Sequence, residues 1–177
     1  MAHKEKKAVQ YYYPFCPHCG KRTISKLVHG SKELFCRQCN EVIWFNSKPT
    51  ASIFLVRNGK VLLAKRAINP LKGYWDAPGG FLEYHEHPEI GARRELLEEL
   101  GIRVTGLHFL GIYMSIYGNR PGQSTCNVYY WSRSWKGALT AHDDVELFEW
   151  FDLTSLPRRI AFSHNAKALH DLRKAVA

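Results

Sequence analysis

The sequence predicts an α/β domain, a mixed sheet lying between helical layers, preceded by a small module built on paired cysteines. Three observations predict it. Cys16, Cys19, Cys36 and Cys39 form two C-x2-C pairs near the start. Short alternating strand patterns follow, interrupted by Asn58-Gly59. An acidic helical stretch then comes directly after a Gly-Gly turn, and a second helix closes the chain. Strands with two helices around them are best buried as a sheet between helical layers.

Taken in order, residues 1–13 read as a basic flexible tail, 14–46 as the cysteine module and 47–177 as the main domain. The 177 residues suit one ordinary domain plus a small module, and the 45% hydrophobic fraction supports a sizeable core. Each C-x2-C pair can sit on a tight turn, and four thiolates match tetrahedral zinc. A module of about 40 residues or fewer rarely has enough core to fold alone, so the metal is expected to be structural. A redox disulfide pair is the rival, but two matched pairs exceed what such a site needs. Cys126 is expected to be an inert buried thiol.

Ala51–Val56 and Lys60–Lys65 read as strands of a hairpin around Asn58-Gly59. Trp75-Asp76-Ala77-Pro78-Gly79-Gly80 reads as a strand end breaking into a glycine turn whose carbonyls can approach a cation or phosphate. Pro88 to Leu100 reads as a helix, opened by proline and stopped by Gly101. At about 100° per residue, Glu98 and Glu99 lie about 60° to one side and 40° to the other of Glu95. Three carboxylates therefore share a face. Ile90, Leu97 and Leu100 are expected to seat the opposite side on the core, with Arg93 snorkelling from that stripe. Like charges four apart destabilise a helix, and clustered hard oxygens suit Mg²⁺ or Mn²⁺. Arg94 stands where it can orient a carboxylate.

Leu107–Tyr117 and Thr125–Trp135 are expected strands, joined by a loop, Gly118–Ser124, that can cover a ligand. Phe148–Phe151 is a short strand, and Ser163 is expected to cap a final helix through about Lys174. Tyr74, Trp75, Tyr113, Tyr117, Tyr129 and Phe162 are candidates to stack on a base or flavin. Alternation makes most of them core.

Gly80, Glu86, Arg94-Glu95-Leu96, Glu98-Glu99 and Gly101-Ile102 together spell G-x5-E-x7-R-E-U-x-E-E-x-G-U, with U aliphatic. This pattern resembles the signature of the Nudix hydrolases. From about Phe15 onward the chain is similar to Nudix hydrolases with an N-terminal zinc ribbon, a group near the NADH and ADP-ribose/FAD pyrophosphatases. The resemblance implies an α/β/α sandwich and hydrolysis of a nucleoside diphosphate linked to another moiety. It implies that Glu95, Glu98, Glu99 and a carbonyl of Gly79 or Gly80 hold the Mg²⁺ or Mn²⁺. Glu86 would support them by hydrogen bonding and Arg94 would orient a carboxylate. The candidates for the general base are Glu98 and, outside the signature, Asp144 or Glu146.

Some residues depart from the commoner relatives. His85 stands where many have glycine, the SQPWPFPxS-type segment of NADH pyrophosphatases is absent, and the proline that marks many ADP-ribose pyrophosphatases is missing. His85 bears on the loop and not on the chemistry, and the absent segment weighs against NADH. Zinc-ribbon relatives do not reliably need the proline, so ADP-ribose stays open beside FAD or a related dinucleotide. The alternative is a nucleic-acid-binding or regulatory protein that uses the ribbon and keeps the Nudix domain as a nucleotide sensor.

The net charge of +9 is uneven, with nine Lys/Arg against three Asp/Glu in residues 1–50. A Zn(Cys)4 centre lowers that segment's excess by two. The tail reads as solvated, so nucleic acid is not the expected partner, and Tyr11-Tyr12-Tyr13 is expected to pack as a hydrophobic edge. With no apolar run of membrane length and no signal-like start, a reducing cytoplasm is expected. A homodimer is implied by resemblance alone.

Overall fold

The computed structural model describes residues 13–118 and 123–177. Tyr11, Tyr12 and most of the Gly118–Ser124 loop lie outside the described residues. The chain divides into two compact units, one made of the chain up to Ser47 with Ile116–Ser124, the other of Lys48–Ser115 with Thr125–Ala177. No helix among the described residues is long and apolar enough to cross a membrane.

The smaller unit is an antiparallel ribbon of β1 (Ile24–Val28), β2 (Ser31–Cys36) and β3 (Glu41–Ile43). His29 and Gly30, both at positive φ, form the β1–β2 turn. Phe15 adds an isolated antiparallel bridge to Arg22. The core here is small: Cys16, Leu34, Phe35 and Cys36 are its buried apolar residues.

The larger unit is built on β4 (Lys48–Arg57), β5 (Lys60–Arg66), β6 (Trp75–Asp76), β7 (Gly79–Phe81), β8 (Arg103–Thr105), β9 (His108–Ile116), β10 (Ser124–Ser132), β11 (Ser134–Lys136) and β12 (Val145–Asp152). The main sheet runs β12-β5-β4-β10-β9, with β6 on β5 and β7 on β4. β4 and β10 pair in parallel and β4–β5 is antiparallel, so the sheet is mixed as expected. Asn58 and Gly59 take positive φ and close the β4–β5 hairpin where Arg57 faces Lys60.

Helices α1 (Pro88–Leu100) and α2 (Ser163–Ala175) cover opposite faces. Ala51, Ile53 and Leu55 of β4 join the core under Ala92, Leu96 and Leu100 of α1. The alternate residues Phe54 and Val56 join the core under Ala168, Leu169 and Leu172 of α2. Strand β4, covered on both sides, therefore reads as an almost unbroken apolar run rather than an alternation.

Four expectations need correcting. Ile90 and Leu97 are exposed, at 61% and 42%. The seat of α1 is instead Ala92, Leu96 and Leu100, four residues apart, and Arg93 reaches the Val104 carbonyl. The expected strand to Trp135 stops at Ser132, because Ser134–Lys136 turns to pair with β8 in a separate two-stranded sheet. Ser163 does not cap α2: Phe162, at φ 55°, is the N-cap and no side chain bonds the first turn. Cys126, near the start of β10, is half-buried.

Candidate active site

Helix α1 forms where the sequence opens and closes it. His87 takes the N-cap, accepting a hydrogen bond from the Glu89 N–H, Pro88 follows, and Gly101 stops the helix in the left-handed region at φ 70°. With Leu96 pointing into the core, the wheel puts Glu95 and Glu99 about 100° and 60° to one side of it, and Glu98 nearly opposite. Burial follows that placement. Glu99 is only 9% exposed, and the side chains of Glu95 and Glu98 are 15% and 48% exposed.

The glycine turn meets these carboxylates. Gly79 and Gly80 pair with Ser52 and Ala51 on β4. The Gly79 N–H donates to Glu99 Oε2 at 2.9 Å. A Cβ on Gly80 would lie 2.5 Å from Glu95 Oε1, so only glycine lets that carboxylate lie against the turn.

Arg94 ties the acids together. Its Nε and Nη2 donate to both oxygens of Glu86, at 2.9 and 3.0 Å. Its Nη1 donates to Glu95 Oε1 and Glu98 Oε2, each at 2.9 Å, and Nη2 also reaches the Phe81 carbonyl. Glu86 Oε2 accepts from the Glu83 N–H as well. The Arg94 hydrogen bonds hold the Glu86 carboxyl below its ordinary range. His85, at φ 63°, adopts the left-handed turn that brings Glu86 back onto Arg94.

Burial, followed by neighbouring acids, pushes Glu99 well above the usual carboxylate range. Glu95 is raised too, with burial first and Glu98 and Asp144 adding to it. Asp144 thus belongs to the field of this cluster. Glu146 forms a 2.9 Å ion pair with Lys65 instead. Among the described residues, Glu95, Glu98 and Glu99 are not drawn into a closed set of ligand atoms like that of the cysteines. Arg94 holds two of them and Gly79 the third. The donor set fits a hard divalent cation: clustered carboxylate oxygens in excess of the one guanidinium, against a glycine turn without side chains.

Beside the cluster lies a network that sequence reasoning missed. Half-buried Asp76 accepts from Arg66 Nη1 at 2.7 Å and from Asn165 Nδ2 at 2.6 Å, and Asn165 Oδ1 accepts from the Tyr129 hydroxyl at 2.5 Å. Asp76 also raises Glu99. No spacing flags it, because its partners come from β5, β10 and α2. Of the aromatic candidates, Tyr129 is core, and Tyr113 packs against it with its hydroxyl on Asp171. Trp75 packs edge-on against Phe151. Tyr74 lies beside Arg159, and half-buried Phe162 beneath Arg66.

The four cysteines come together as the spacing implies. Their sulfurs lie within 4.8 Å of one another, with Cys16–Cys39 at 3.9 Å and Cys19–Cys36 at 3.5 Å. All are free thiols, far beyond the S–S bond length of about 2 Å. Four sulfurs about 2.3 Å from a central zinc would stand about 3.8 Å apart, so the cluster fits a tetrahedral ion. The N–H groups of His18 and Cys39 point at Cys16 and Cys36 Sγ, each at 3.4 Å, as knuckle turns do. His18 is no ligand and faces Glu41.

The fold and the carboxylate–glycine geometry define a Nudix domain, and the family's NUDIX domain pattern matches residues 46–172. The chain belongs to the Nudix family. It is 37% identical to an ADP-ribose pyrophosphatase of Methanocaldococcus jannaschii over 108 residues, 61% of this chain and 63% of that protein. It is 29% identical to an NAD-capped RNA hydrolase NudC of Vibrio atlanticus across 96% of this chain and 64% of that protein. The chain thus spans about half to two thirds of the length of the curated relatives it matches. A NUDIX hydrolase structure from Nitrosomonas europaea superposes with a TM-score of 0.68 at 26% identity, covering 90% of each chain.

Proposed function

We propose that this chain is a metal-dependent hydrolase that cleaves the diphosphate of a nucleoside diphosphate derivative, of the class of ADP-ribose, FAD or a related dinucleotide. The observation that carries the reading is the gathering of Glu95, Glu98 and buried Glu99 against the Gly79–Gly80 turn. The names of the relatives support it, because ADP-ribose and an NAD cap both contain a diphosphate bridge. An intact acid cluster favours an enzyme over a sensor, which has no need of it.

Glu95, Glu98, Glu99 and the Gly80 carbonyl would hold Mg²⁺ or Mn²⁺. Bound there, the cation supplies charge neutralisation for the diphosphate and a better electrophile at phosphorus. Arg94 orients Glu95 and Glu98 and is itself fixed by Glu86. Glu98, the most exposed of the three, takes the proton of the attacking water as its oxygen bonds to phosphorus and the bridging P–O bond breaks. Asp144 is the second candidate for that proton, favoured over Glu146 by its electrostatic reach to Glu95 and Glu99.

The cysteine cluster would hold structural zinc, making residues 14–46 a zinc ribbon before a Nudix domain of 47–177. Reduced thiols suit the cytoplasm, and a homodimer is part of this reading. The test is product release from a nucleotide panel with Mg²⁺ or Mn²⁺. Glu98→Gln should lower kcat about 10²–10⁴-fold while the fold is kept. Equal traces from both proteins across the panel would replace the enzyme with the sensor.

A further inference from the structure

We propose that the ribbon face carrying Tyr13, Phe15, Arg22 and Lys26 is a stacking platform for single-stranded nucleic acid. The inference rests on the smaller unit and is independent of the carboxylate site. Phe15 is the antiparallel bridge partner of Arg22, so the two side chains share a face, and the Arg22 guanidinium stands 5.7 Å from the Phe15 ring centre. Alternation puts Tyr13, two residues before Phe15, and Lys26, four after Arg22, on that face too. Lys26 Nζ lies 3.9 Å from the ring centre of Phe35.

A small unit with so little core is expected to bury its aromatic rings. Instead Tyr13 and Phe15 are 41% and 57% exposed, although Phe45 backs Tyr13 with ring centres 5.0 Å apart. Positions two apart on an extended strand are about 6.6 Å apart, which lets each ring take one base. Charge complements the rings. From Tyr13 to Lys32 the chain has Lys21, Arg22, Lys26 and Lys32 and no Asp or Glu; Glu33, directly across from Lys26, is an acid on that face, leaving Arg22 as the cation beside the rings. An acidic peptide would use the cations and leave the rings idle, and a duplex hides its base faces. A single strand uses both, by stacking on the rings and pairing its phosphates with the cations.

The test is fluorescence anisotropy of the zinc-loaded full chain with a labelled single-stranded RNA, the same sequence as DNA, and its duplex, across a salt series. The expected result is binding of either single strand, or of the RNA alone, at least about tenfold tighter than the duplex. Phe15→Ala should weaken it about tenfold, Phe15→Trp should restore it, and zinc content should stay constant. Arg22→Gln should weaken binding and lower the salt slope by about one, which keeps the test intact should Phe15→Ala lose its zinc. The proposal is overturned by no binding at low salt, by equal affinity for the duplex, or by ring-independent binding in Phe15→Ala. Displacement of the strand by polyglutamate at matched charge would overturn it as well.

Discussion

Glu99 accepts a hydrogen bond from the Gly79 N–H at 2.9 Å, joining the last turn of α1 to the glycine bend that precedes it by twenty residues. The bond fixes the carboxylate but leaves its charge buried beside Glu95, Asp76 and Asp144, and each of these pushes its proton affinity up. Glu99→Gln keeps an acceptor for Gly79 and removes the charge. Without divalent cation, the variant should melt no lower than the parent. Hydrolysis should nevertheless fall about 10²–10³-fold, the usual loss when a charge-stabilising group is removed. Melting curves and kcat on one preparation check both halves.

The raised proton affinities of Glu95 and Glu99 also set a pH dependence. In a group whose folded pKa is raised, the charged form is penalised above that pKa, and the penalty disappears as pH falls through it toward the ordinary value. Glu86 has the opposite shift, and its contribution is lost only as pH falls below the ordinary value. Within the first window, above the ordinary carboxylate value, mild acid should therefore stabilise the cation-free cluster. Mg²⁺ or Mn²⁺ competes with those protons, so its lift in Tm should be largest at neutral pH and shrink on mild acidification. A lift that is the same at both pH values would remove the carboxylates as its source.

The acid cluster and the cysteines were legible because the carboxylates share one helix and each cysteine pair shares one tight turn, where spacing fixes local geometry. Glu86, Arg94 and Glu95 are eight residues or fewer apart along the chain from the next, and Arg94 spans them with one guanidinium. Asp76, Arg66, Asn165 and Tyr129 were not legible, because a sheet and two cores had to form before those side chains met. The helix seat departs from the apolar pattern for a related reason. An apolar wheel position says which residues can be buried, but β4 approaches α1 along Ala92, Leu96 and Leu100, leaving Ile90 and Leu97 to solvent.

That corrected seat can be measured. Leu96 is fully buried in the core that α1 shares with β4, so Leu96→Ala should cost about 2–5 kcal/mol through lost burial and the cavity left behind. Ile90→Ala, on the exposed side, should change stability by less than about 0.5 kcal/mol. Denaturant unfolding of the two variants gives the comparison. Equal losses would return the helix to the orientation that its apolar pattern suggests.

His164 sits in the first turn of α2, buried, with its ring stacked near Phe162 and edge-on to Tyr129. Its Nδ1 has no hydrogen-bond partner among the described residues, and burial pushes its pKa down to about 4 from an ordinary 6.5. The folded protein therefore binds this proton less readily than the unfolded chain. Its contribution to stability is complete above the unfolded value and is lost as pH falls from there toward the folded one, at most ~3 kcal/mol. His164→Leu removes the titration while keeping an apolar side chain under Tyr129. The variant should unfold at lower pH than the parent in an acid titration followed by near-ultraviolet circular dichroism, with the gap opening below the ordinary histidine value. Superimposable acid transitions would mean that His164 takes up its proton without leaving its place under Tyr129.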